Sequence, residues 1–396
     1  MLKGKDILFL TASEWQDNAV STMQIAALLS LQNNVVFVET IGRRLPRWSE
    51  WRRVLARLQR MLFGVRREQG AGLDAQRVKI YSPFAIPLHH IPWVAWVNRW
   101  LLVRQLRRLC RRTEMPSPLV WCFSPTWESV MRRLPHQCWI FHCVDGLHTY
   151  NASPAFLAAY QRMARLADLI FTPGSLLYRE LSALNRRTHQ IGHGCGAVHL
   201  RQYDAQAPLP EPVDVAHLPR PRVIFAGALT QWVDYQLFLA VAQRLPHMSF
   251  LLLSYVHGLA PSEAVRDLLS LPNIHLLGYK NYADLPRYYA AADAGIIMYR
   301  AADEHTRYCT PTKIYDYCGA GLPCVSTRFP ATEDAQAVVR VADSIDDFVA
   351  GLLDVIATNT GTQQTARRAY ALSNTWERQV DRMSVVIMQQ LRDAAA

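Results

Sequence analysis

The stretch CTPTKIYDYCGAGLPCVST, residues 309–327, places a cation where helix electrostatics disfavour one. Thr310 as N-cap and Pro311 at the first helical position read as a helix start. Lys313 then falls in the first turn, where the helix dipole opposes an ammonium group by about 0.3–1 kcal/mol. Asp316 lies three residues on, on the same face. Ile314, Tyr317 and Cys318 form the opposite, buried stripe, and Gly319 and Gly321 suit close packing and an exit turn. A bland account is available: Lys313 and Asp316 as an exposed i,i+3 pair. A second candidate is Asp145 in CWIFHCVDGLHTY (138–150), just beyond an apolar strand and flanked by His142 and His148. Parallel sheets hold ligands at the C-terminal ends of their strands, which suits a general base. An aspartate before Gly146 is also ordinary turn chemistry.

These residues need elements to hold them. DILFL (6–10), NVVFVET (34–40), RVKIYSP (77–83), PLVWCFS (118–124), CWIFHCV (138–144) and LADLIFTPG (166–174) are short apolar runs, and Ser21–Leu31 is an amphipathic helix. Near 201–221 five prolines and a lost periodicity predict a linker. The pattern restarts with RVIFAGAL (222–229), SFLLLSY (249–255), IHLLGYK (274–280) and AGIIMYR (294–300), separated by helical segments, and a last helix covers roughly 376–394. Continuous apolar strands alternating with helices predict α/β architecture, a parallel sheet covered on both faces, twice over. Such tandem doubly wound units are expected to bind ligand in the cleft between them.

In order and spacing, VIFAGALTQWVDYQLF, IHLLGYKNYADLPRYYAAADAGIIMYR and TPTKIYDYCGAGLPCVST resemble the donor domain of GT-B glycosyltransferases. In the first half, FHCVDGLHTY and QIGHGCG look like segments of the xanthan-type bacterial glucuronosyltransferase. The resemblance implies two Rossmann-like domains facing a cleft. The expected division is an acceptor-binding, membrane-facing domain at 1–200, a linker at 201–221, a nucleotide-sugar domain at 222–375, and a crossing helix at 376–396. The helix N-terminus and Lys313 would then hold the donor's diphosphate, and Asp316 the ribose hydroxyls. Gly227 would let phosphate approach the backbone, Tyr299 would face the donor, and His193 would touch its phosphates. The resemblance gives Asp145 the role of base. Retaining relatives carry Glu-x7-Glu; Asp316 matches the second acid, but Tyr308 stands where the first belongs. Inversion with an Asp145 base is therefore the expectation, with a retaining hexosyltransferase, a nucleotide-sugar 2-epimerase and a non-catalytic membrane adaptor as alternatives. The donor is expected to be UDP- or GDP-linked, with no cofactor and no metal.

Charge separates the two halves. Residues 1–115 hold 19 Lys/Arg against 8 Asp/Glu, which accounts for the whole net charge of +11. RRLPRWSEWRRVLARLQRMLFGVRR (43–67) and PLHHIPWVAWVNRWLLVRQLRRLCRR (87–112) mix tryptophan, leucine and arginine at helical spacing. Trp48, Trp51, Arg52, Arg53, Arg57 and Arg60 are expected to meet an anionic membrane interface. Core helices with solvated arginine faces would have the same composition. No RNA-binding motif accompanies the charge, so no nucleic-acid partner is expected. No run of about 18 apolar residues predicts a membrane span. Eight cysteines without a Cys-x-x-Cys pair predict reduced thiols and a cytoplasmic protein peripheral to the inner face of the cell membrane.

Overall fold

A computed structural model of the chain describes residues 1–15, 21–41, 65–66, 77–88, 91–146, 153–204, 208–254 and 263–394. Trp48, Trp51, Arg52, Arg53, Arg57, Arg60 and His148 lie outside them. The described residues form two compact units. The first takes in 1–173, 177–191 and 380–396; the second takes in 174–176 and 192–379.

The apolar runs become strands because each is buried on both faces, where continuous hydrophobicity rather than alternation is favoured. The first unit's strands are β1 (Asp6–Leu10), β2 (Asn34–Val38), β3 (Val65–Arg66), β4 (Lys79–Tyr81), β5 (Leu119–Cys122), β6 (Cys138–His142), β7 (Leu169–Thr172) and β8 (Thr188–Gln190). They order as β3-β4-β2-β1-β5-β6-β7-β8, and only the β3–β4 pair is antiparallel. The second unit's strands are β9 (Arg222–Ala226), β10 (Ser249–Leu253), β11 (Ile274–Leu276), β12 (Ala294–Ile297), β13 (Cys324–Thr327) and β14 (Val339–Ala342). Their order is β11-β10-β9-β12-β13-β14, all parallel. The chain builds outward from β9 in one direction, then returns to its other side at β12. The crevice beyond the C-terminal ends of β9 and β12 is thus the topological switch point, where α/β sheets take ligands. In the first sheet β1 and β5 make the corresponding reversal, with β6 next to them.

The helix carrying Lys313 runs Lys313–Ala320. It starts two residues later than expected. The N-cap position is Thr312, whose side chain makes no capping bond, and Thr310 and Pro311 precede the helix. Pro311 instead supplies a carbonyl that accepts from Ile314 N at 3.3 Å, so its fixed φ sets up the turn before the helix. All of Lys313–Gly319 is buried. Tyr317 fixes the helix to the sheet: its hydroxyl accepts from Ala226 N (3.2 Å) and donates to Ile224 O (3.3 Å), both on β9. The ring lies so close to β12 that a β-carbon at Gly295 would stand 2.6 Å from it.

The segment expected as a linker is folded onto the second unit instead. Helix Ala197–Tyr203 attaches through His199 Nε2 to Tyr282 O (2.8 Å) and Gln202 Nε2 to Ala283 O (2.9 Å). Helix Val213–Ala216 follows Pro212, and its Asp214 pairs with Lys280 at 2.7 Å. Proline density marked helix starts and extended backbone here, not an absence of structure. The last helix is Trp376–Asp393. All eight cysteines are free thiols, as expected.

Overpacking at the Gly295–Tyr317 contact should cost about 1–3 kcal/mol. Gly295→Ala is therefore expected to lower the urea midpoint without changing the slope, and to weaken ligand binding at the Lys313 end of the helix. Wild-type stability in this variant would mean that Tyr317 is not held against the strand.

Candidate functional site

The site is built from the ends of β9 and β12 and the first residue of the helix Lys313–Ala320, which follows β12 in the chain. β9 ends at Gly227, whose φ of 145° suits glycine and few other residues. A β-carbon there would also lie 3.0 Å from Lys313 Nζ. Two residues after β12, Tyr299 turns its ring inward, with its backbone held by Thr327. Tyr299 N donates to Thr327 Oγ1 (3.2 Å), and that hydroxyl donates to Tyr299 O (2.7 Å). Lys313 reaches over both strand ends. Its Nζ donates to Tyr299 Oη at 2.9 Å and lies 4.4 Å from the centre of the Phe225 ring and 4.9 Å from that of Tyr299.

The electrostatics are unbalanced. Lys313 is 8% exposed, and among the described residues no carboxylate lies within ion-pair distance of it. Removing an ammonium from water costs several kcal/mol. A neutral hydroxyl and two ring faces, the latter worth up to about 2 kcal/mol each when desolvated, return part of that. Burial accordingly pulls the Lys313 pKa down to about 8. Burial also pushes the Tyr299 hydroxyl upward, so Tyr299 stays neutral beside it. What the pocket lacks is negative charge. A cavity of about 650 Å³ on the other side of Tyr299 differs in this respect. Its Arg328 is already held by Asp343 (2.5 and 2.8 Å) and Glu333 (3.1 Å).

Gly227, Tyr299 and Lys313 therefore come together. Asp316 does not join them. Its carboxylate is buried against the helix Ala197–Tyr203 and Tyr282. Oδ1 accepts from Tyr282 Oη at 3.3 Å and lies 3.2 Å from His199 Nδ1, which is buried and makes no hydrogen bond among the described residues. Cys195 Sγ completes a cluster whose donor atoms lie within 4.8 Å of one another, the one group among the described residues with a ligand set suited to a metal. His193 also sits apart: its ring packs on Trp376 (5.5 Å between centroids), and burial lowers its pKa to about 4, leaving it neutral. Arg300 turns to Gln231 O and Asp303.

In the first unit Asp145 lies three residues beyond β6, half-buried, and lines a small pocket with Ser124, Phe141, Phe156 and Tyr160. Cys143 Sγ donates to its backbone oxygen at 3.3 Å. His142 belongs to the core: its Nδ1 accepts from Trp121 Nε1 at 3.4 Å, and its ring stacks on Phe123. Phe225 and Thr327 escaped the sequence reading. A signal existed for Phe225, because it stands two residues before Gly227 and so on the same side of β9.

Residues 220–358 match the family model for "Glycosyl transferases group 1". "Putative teichuronic acid biosynthesis glycosyltransferase TuaH" of Bacillus subtilis (strain 168) is 25% identical over 230 residues, 55% of this chain and 56% of that protein. The chain thus spans about half the length of this curated relative. Sucrose-phosphate synthase from Thermosynechococcus elongatus superposes with a TM-score of 0.69 at 12% identity, covering 99% of this chain and 100% of that one. Anabaena Alr3699/HepE, solved with UDP-glucose, gives 0.67 at 14% identity over 97% and 99% of the two chains. At these identities the structures establish the fold alone. The chain has the GT-B fold, with two parallel Rossmann-like sheets, and its segment 220–358 is similar to the group 1 glycosyltransferase family.

The depressed Lys313 pKa has a pH signature. The unfolded chain holds this proton through the ordinary lysine range, whereas the folded chain releases it near pH 8. The folding penalty is thus full below pH 8 and is relieved as pH rises toward the unfolded value, by roughly 3 kcal/mol. Denaturation of the ligand-free protein is expected to show that rise above pH 8, on top of other titrations. In Lys313→Met the rise should vanish and stability at pH 7 should increase. An unchanged pH profile in the variant would contradict the burial of the charge.

Proposed function

We propose that this protein is a nucleotide-sugar-dependent glycosyltransferase. It moves a sugar from a nucleoside diphosphate donor to a lipid-linked or polysaccharide acceptor in cell-surface or exopolysaccharide assembly. One observation carries the reading: a buried ammonium group at a sheet's switch point, beside a glycine strand end, with no carboxylate partner among the described residues. A diphosphate supplies the missing charge and gains a charge-assisted hydrogen bond. That stabilisation grows as the phosphate departs and is then catalytic. The group 1 match of the same segment supports the donor side. The UDP-glucose in Alr3699/HepE supports a UDP donor, and the name of TuaH supports a polysaccharide acceptor.

On the acceptor side the reading assigns the base to Asp145. The acceptor hydroxyl oxygen attacks the anomeric carbon, the bond from that carbon to the phosphate oxygen breaks, and the hydroxyl proton passes to the Asp145 carboxylate. The nucleoside diphosphate leaves toward Lys313, and the configuration inverts. No metal takes part in this scheme. The first half's likeness to the xanthan-type glucuronosyltransferase supports the Asp145 role. Retention is the second reading, favoured by the group 1 match, since such enzymes typically retain configuration. The departing phosphate oxygen then takes the proton and Asp145 is dispensable. In either case the enzyme works at the inner face of an anionic membrane, where a lipid-linked acceptor is presented.

Two measurements check these assignments. Lys313→Ala is expected to weaken nucleoside diphosphate affinity tenfold or more by calorimetry, about 1.5–3 kcal/mol for one charge-assisted bond. Unchanged affinity would sink the donor-site assignment. Asp145→Asn keeps size but cannot take a proton. Turnover should fall to a few per cent or less with donor binding intact, and the wild-type product should show an inverted anomeric signal by NMR. A retained anomer made at near-normal rate by the variant would select the second reading.

A further inference from the structure

The helix Pro92–Arg112 has two unlike faces. Val94, Asn98, Leu102, Leu106 and Leu109 are buried at three- and four-residue spacing. The opposite strip carries Trp93, Trp96 and Trp100, which are 66%, 60% and 54% exposed. It continues with Arg104, Arg107 and Arg111, all exposed. At 100° per residue these six side chains fall within about 80° of arc. Trp121 and Trp127 of the same unit are fully buried, so three neighbouring exposed indoles are not a general habit of this chain. Phe84 is also exposed, at 49%. Its backbone is clamped to the helix by Gln105, which accepts from Phe84 N and donates to Phe84 O, both at 2.9 Å. Contiguous exposed apolar surface of this kind marks an interaction site.

Charge identifies the occupant. The helix has six arginines and no acidic residue. At its C-terminal end Arg107, Arg111, Arg132 and Arg133 line one groove of about 550 Å³ with Met115 and Leu134. Of the four, only Arg132 meets a carboxylate among the described residues. That is Glu128 at 3.2 Å, which Arg162 also holds at 3.1 Å. Arg107 and Arg133 donate to backbone carbonyls, of Arg133 and Ser129 respectively. Their positive charge is left without a counter-charge. Amphipathic indole rings belong at the headgroup level of a bilayer, and guanidinium groups match phosphate geometry. The helix is about 31 Å long at 1.5 Å per residue. Among the described residues no helix is long and apolar enough to cross a membrane. A helix of this kind lies in the interface plane.

We propose that this strip is an interfacial anchor. Trp93, Trp96 and Trp100 settle among the headgroups of an anionic bilayer, and the arginine groove binds lipid phosphates. The inference rests on the membrane side of the reading above and not on the donor site. It assigns attachment to particular side chains in the second of the two basic, tryptophan-rich segments that the sequence marks, 87–112.

The test uses the full chain and vesicles of phosphatidylcholine, alone or with one quarter phosphatidylglycerol. The wild type is expected to cosediment with the anionic vesicles, release in high salt, and lose tryptophan fluorescence to brominated lipid. Replacing Trp93, Trp96 and Trp100 together by Ser should reduce partitioning roughly tenfold or more and abolish most of the quenching. Arg107, Arg111 and Arg133 to Gln should reduce preference for the anionic vesicles. These positions are exposed, so the variants should melt like the wild type and bind nucleoside diphosphate normally, which keeps the donor assignment separate. Undiminished vesicle binding by both variants would overturn the assignment to this helix. Failure of the wild type to bind any vesicle would overturn the membrane reading with it, as would tight RNA binding in place of vesicle binding.

Discussion

A lysine ammonium buried with no carboxylate beside it among the described residues is the constraint around which the second unit is arranged. Lys313 is held at the switch point by a helix that is itself buried on every side. That helix can approach the sheet because Gly295 leaves room for the Tyr317 ring, and because the Tyr317 hydroxyl bonds β9 beyond its pairing with β12. Gly227 clears space for Nζ on one side, and Tyr299 supplies a neutral oxygen on the other. Each of these residues fixes the position of the charge. None neutralises it. A protein that needed only stability would place a carboxylate there, as it does at Arg328, or an apolar side chain.

This imbalance is a form of preorganisation. A site already desolvated and aimed needs little rearrangement when negative charge develops, which is where electrostatic catalysis is strongest. The cost appears in the ligand-free protein, as a lysine whose pKa has fallen to about 8. Stability is given up locally for a function that requires an unsatisfied cation.

Much of this could be read from the sequence, and the failures have physical causes. Strands such as DILFL and RVIFA were legible because burial on both faces leaves no polar positions to confuse the pattern. Lys313 was legible because it opposes the helix dipole. The separation of Asp316 from it was not. Spacing places two residues on one face but does not say what packs there, and the partners of Asp316, His199 and Tyr282, lie 117 and 34 residues away in the chain. Thr310 was misread as a cap because Thr-Pro suits both a cap and the turn before one. The segment 201–221 was misread because proline reports backbone shape, not whether that backbone packs. Helix Pro92–Arg112 was expected to be amphipathic, but only its contacts reveal that tryptophan faces outward.

The central claim is that a diphosphate completes the charge of Lys313. The most direct measurement is proton uptake on binding UDP or GDP at pH 8, taken from calorimetry in buffers of different ionisation enthalpy. At that pH the free lysine is about half protonated and the diphosphate is fully ionised, so binding should draw in about 0.5 proton per site. The uptake should be absent with the nucleoside alone and lost in Lys313→Met. Tight nucleotide binding without proton uptake, or with the same uptake in the variant, would contradict the account.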